Sequence, residues 1–75
     1  MSANAITLID FAEEVVIRTG IVLPEIRPAG RAMIEEYLDG LRTAALIGNT
    51  MAFARYVSLI EQQMELERIA RERST

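Results

Sequence analysis

Apolar residues recur at helical spacing along this chain, and the pattern breaks in two places: around Pro24 and Pro28, and at Gly48, Asn49 and Thr50. Recurrence at i, i+3, i+4 and i+7 marks an amphipathic helix. Two breaks in 75 residues leave room for three helices. The sequence therefore predicts an all-α domain. Its second and third helices form an antiparallel hairpin, its first packs across them, and a long C-terminal helix projects past the core.

The punctuation supplies provisional boundaries. Thr7 with Asp10 is a variant of the capping box, with Asp where Glu or Gln is usual. Leu8, Phe11, Ala12 and Val15 follow at helical spacing, and Gly20 is a plausible C-cap. Helix 1 is thus expected over about 7–19. A competing reading exists for 15–23, where β-branched residues flank Arg18, Thr19 and Gly20 as in a short hairpin. The prolines then predict an extended connector over 21–28, with Ile21, Leu23 and Ile26 packed against the core. Helix 2 should begin near Pro28, since proline suits a first helical turn. Its stripe is Ile34, Tyr37, Leu38, Leu41 and Ala45. Gly40 and Ala44 make a small pair on one face, read either as a mild kink or as a close helix crossing. Gly48 should cap helix 2, and Thr50 should be the N-cap of helix 3.

Helix 3, over about 51–73, carries two adjacent apolar rows. One is Phe53, Val57, Ile60 and Met64; the other is Ala52, Tyr56, Leu59 and Leu66. A face that broad suits two partners. From Glu61 to Arg73 the chain is mostly charged, and Glu67 with Arg71 has the spacing of a helical ion pair. The domain core is expected over about 7–64, with a charged extension over 65–75.

A short chain buries a modest share of its surface, so small domains usually need a disulfide, a metal or a partner. This one has no Cys, His, Lys or Trp. Disulfides are impossible and zinc lacks its preferred ligands; no cofactor or metal is expected. The same absences remove the side chains of most neutral-pH catalysis. Ser2, Ser58 and Ser74 have no base to activate them, and no glycine-rich phosphate loop is present. The carboxylate pairs Glu13–Glu14 and Glu35–Glu36 point about 100° apart on a helix. A carboxylate-based enzyme is therefore the weakest reading. Net charge is −3, from eleven acids and eight arginines, which is not the basic stripe of a nucleic-acid-coating protein. Arg18, Arg27 and Arg31 could form a small basic patch near the start of helix 2. Met1 to Ala5 lacks a basic leader and no run is apolar enough to span a bilayer, so a cytoplasmic location is expected.

These observations point to a non-catalytic protein-binding module: an adaptor, inhibitor or regulatory subunit acting by occlusion and self-associating as a homo-oligomer. Compact, acidic, cofactor-free chains suit the stoichiometric inhibitors carried by mobile elements. The residues expected at the interface are Tyr56, Leu59, Gln63, Leu66 and Arg73, with Gly40 and Ala44 as a second contact. The alternative is a helix-turn-helix over 44–57 that reads DNA through Thr50 and Arg55, with Met51 and Tyr56 beside them.

Overall fold

A computed structural model describes residues 3–74 and the side chains of 7–73. Ser2 and the side chain of Ser74 therefore lie outside the described residues. The chain forms three helices: α1 (Ala3–Val22), α2 (Pro28–Ile47) and α3 (Thr50–Ser74), with a 3-10 turn over Leu23–Glu25 between the first two. Among the described residues there is no strand.

Helix α1 is longer than the local signals predict. Thr7 lies within it and Gly20 does not cap it. Gly20 has no positive φ, so it simply continues the helix. Continuation buries Thr19 and packs Val22 and Leu23 against the core. That tertiary gain overrides both the weak helix propensity of glycine and the hairpin reading of 15–23. The helix stops where Pro24 has no N–H to offer the next helical hydrogen bond. The predicted extended connector is therefore mostly helical. Of its three apolar residues only Ile26 is buried, in an extended conformation (φ −96°, ψ 144°), while Ile21 is exposed.

Helix α2 starts at Pro28 as expected, and Ile34, Leu38, Leu41, Ala44 and Ala45 form its buried stripe. Gly48 ends it in the left-handed region at φ 71°, and the amides of Gly48 and Asn49 donate to the carbonyls of Ala45 and Ala44. This is a Schellman motif, which needs a residue without a Cβ penalty. The N-cap of α3 is Asn49 rather than Thr50: the Asn49 Oδ1 accepts the Ala52 amide at 3.1 Å, and Thr50 is already helical.

The hairpin is antiparallel along its length. Gly40 lies against the ring of Tyr56, and Gly30 against the side chain of Glu67. A Cβ at Gly40 would overlap that ring. The small residue thus admits an aromatic side chain, not the kink or the close backbone crossing read from the sequence. Helix α3 outruns α2, and its last turns run beside the connector, where Arg71 Nη1 meets Glu25 Oε1 at 2.7 Å.

The molecule measures 50 × 19 × 15 Å, with a radius of gyration of 13.3 Å. A compact chain of this length has about 11 Å. Elongation leaves a thin core, in which Ile34 and Leu41 are the large side chains with no meaningful exposure.

Candidate protein-binding cleft

Helix α1 packs mainly on α2 and touches α3 most clearly through Phe11. Its ring meets Phe53 edge to face, with centroids 5.8 Å apart and planes at 83°. Such pairs are favourable beyond the area they bury. From there to the Arg71–Glu25 ion pair, α1 and α3 leave a cleft of about 470 Å³ between them. Its walls are Val15, Val22, Ile26, Val57, Ile60 and Met64, all apolar. Phe11 stands at one end with 47% of its surface exposed. The volume lies within the range of ordinary binding pockets.

One polar group interrupts the apolar wall. Thr19 is 5% exposed and lines the cleft. A helical Thr usually hydrogen-bonds the carbonyl four residues back, as Thr43 does to Asp39 at 3.1 Å. Among the described residues the Thr19 hydroxyl makes no such bond.

The rim is charged, and most of its charges are spent inside the molecule. Arg68 is held by Glu65 and Glu72. Hydrogen bonds from Arg68 hold the Glu65 carboxyl below the usual carboxylate range. Glu67, at the back of the cleft, is buried. It accepts Arg27 Nε and Nη2, both at 3.0 Å, and Gln63 Nε2 at 3.2 Å. A buried carboxylate is tolerated only when paired in this way. The Arg27 hydrogen bonds pull its pKa down, against the desolvation that pushes it up. Gly30 supplies the space, since a Cβ there would overlap the carboxylate. Among the described residues, rim residues Arg18 and Glu61 make no ion pair.

The three arginines read as a basic patch do not act together. Arg27 is committed to Glu67, and Arg31 Nη2 donates to the Ile26 carbonyl at 3.0 Å, while Arg18 lines the cleft. The local Glu67–Arg71 pair gives way to tertiary partners, Arg27 for the acid and Glu25 for the arginine.

The interface residues expected from the sequence fall on the other side of the hairpin. Leu59, Leu66 and Arg73, seven residues apart, share a flank of α3 nearly opposite Val57 and Met64 by helical phase. Leu66 is 58% exposed and Leu59 half-buried. Tyr56 is turned onto Gly40, Ala44 is buried, and the Gln63 amide is taken by Glu67. Thr50, Met51 and Arg55 are exposed at the hairpin tip. The carboxylates Glu13, Glu14, Glu35 and Glu36 are all exposed. The cleft residues were missed as a site, although their signal was present: Phe53, Val57, Ile60 and Met64 are the other apolar row of helix 3.

Among the described residues no group of acids could hold a metal ion, and no helix is long and apolar enough to cross a membrane. No protein family matches the chain, and neither curated proteins nor solved structures yield a match.

Proposed function

We propose that this protein is a small non-catalytic interaction module. It takes an apolar segment of a partner protein, most simply one face of an amphipathic helix, into the α1–α3 cleft, and acts as an inhibitor or regulatory subunit by covering that segment. The observation that carries this reading is the open apolar cleft itself. Its walls come from α1, α3 and the connector between α1 and α2, so it is preformed. Docking an amphipathic helix in an apolar groove is a recurrent mode of recognition. The charged rim supplies orientation, with Arg18 and Glu61 available to a partner.

The DNA-binding reading has less support. Helix-turn-helix motifs cross at about 90–120°, whereas α2 and α3 lie side by side and antiparallel, with Tyr56 on Gly40. Duplex binding at low salt that is weakened by Arg55→Ala would favour it over the module.

The test is affinity capture from the native host with wild type and with Val57→Glu, both checked for helical content. The expected result is a partner that wild type retains and the variant loses. The purified partner should then bind wild type stoichiometrically in calorimetry. Equal capture by both proteins would refute the cleft as the site.

A further inference from the structure

The end of the rod made by the α2–α3 turn carries three of the four most exposed large apolar residues among the described ones. Leu46, Ile47 and Met51 are 73%, 70% and 81% exposed. The Schellman turn and the Asn49 cap order the backbone that carries them. Exposed apolar clusters of this kind mark contact surfaces. Their electrostatic setting is distinct. Between Gly40 and Ile60 the charged residues are Arg42 and Arg55, both exposed and with no acid among them. A chain of net charge −3 thus presents a cationic, apolar tip.

The α1–α3 cleft has the complementary character. It is apolar within, its lining holds four glutamates against three arginines, and Glu61 on its rim makes no ion pair among the described residues. We infer that the tip of one copy of this chain docks in the cleft of a second copy, with Leu46, Ile47 and Met51 against the apolar walls and Arg42 or Arg55 facing Glu61. The inference rests on the cleft being a docking surface, as proposed above; it adds a competing occupant, so that assembly holds the cleft closed until a partner displaces the tip. The tip and the cleft are different surfaces, so the contact either repeats head-to-tail into chains or rings or closes reciprocally into a two-fold dimer.

The test uses the full chain in sedimentation velocity over a concentration series. Wild type should shift to larger species as concentration rises. Ile47→Glu, which loses the tip, and Val57→Glu, which loses the cleft, should each remain monomeric. Their equimolar mixture should form a one-to-one dimer and nothing larger, because it contains one working tip and one working cleft. Arg55→Glu and Glu61→Arg, both on exposed positions that leave the core untouched, should each weaken assembly by about tenfold or more, and mixing them should restore it. A wild type that stays monomeric, or a mixture of the two disabled variants that stays monomeric, would overturn the inference. So would sedimentation with phosphatidylserine vesicles that Ile47→Glu abolishes in a protein that does not self-associate, which would assign the tip to a membrane surface. If wild type is monomeric while partner capture still depends on Val57, the inference fails and the proposed function stands.

Discussion

Gly40→Ala gives a sharp test of the packing described above, because two opposing effects can be separated. In a helix interior, alanine is more favourable than glycine by about 1 kcal/mol. Where space allows, that gain should appear. Gly20 is such a position: a Cβ there would meet nothing within 4 Å. Gly20→Ala should therefore stabilise the fold by up to about 1 kcal/mol. At Gly40 the new Cβ would fall on the outer carbons of the Tyr56 ring. The ring must move, and it is packed against the core. Overpacking typically costs about 1–3 kcal/mol, so the net effect should be a loss of up to about 2 kcal/mol after the propensity gain is subtracted. The cause can be isolated with Tyr56→Ala. In that background the obstruction is gone, and Gly40→Ala should become stabilising by about 1 kcal/mol. Urea unfolding of the four proteins, followed by helical circular dichroism, measures the cycle. The sign of Gly40→Ala should reverse between the two backgrounds, with a coupling of about 1–3 kcal/mol. The same stabilisation in both backgrounds would refute the packing of Tyr56 on Gly40.

Three further outcomes follow from the fold. Leu41 has no exposed surface, so Leu41→Ala should cost about 2–5 kcal/mol; since a core this small supplies about 3–5 kcal/mol, the variant should be largely unfolded by circular dichroism. Gly48→Ala forces a Cβ into φ 71°, and its urea midpoint should reveal a loss of about 1–2 kcal/mol. Hydrogen bonds from Arg27 hold Glu67 below the usual carboxylate pKa in the folded state, so its contribution is present above the unfolded value of about 4.3 and is lost as pH falls through the lower folded value. Urea midpoints of wild type should therefore fall on acidification below about pH 4.3, and Glu67→Gln should flatten that dependence; an unchanged pH profile would contradict the buried pair.

Local rules carried the reading where the answer is local. Pro28 and Gly48 each act through their own backbone, and both helix boundaries stand where those residues put them. Ala12 and Val15 are buried as their spacing requires. Local rules failed where a distant segment decides. Gly20 has the look of a cap, yet α1 continues because Thr19 and Val22 find the core. Thr50 and Asn49 are both competent caps, and the Schellman turn places Asn49 at the cap position. Glu67 and Arg71 are spaced to pair on one helix, but Arg27, forty residues away, and Glu25 take them instead. The cleft shares this logic. Two apolar rows on helix 3 were visible, but their spacing does not say which row faces α1. That depends on α1 packing chiefly on α2 and meeting α3 at Phe11 and Phe53.

The claim that the α1–α3 cleft is the functional surface is tested most directly by site-specific photo-crosslinking in the native host. A photoreactive residue replaces Val57 inside the cleft in one protein and Glu36 on the exposed face of α2 in another. Irradiation should join the protein labelled at position 57 to one defined partner, while position 36 gives no discrete product. Identical products from both positions, or a discrete product from position 36 alone, would contradict the account.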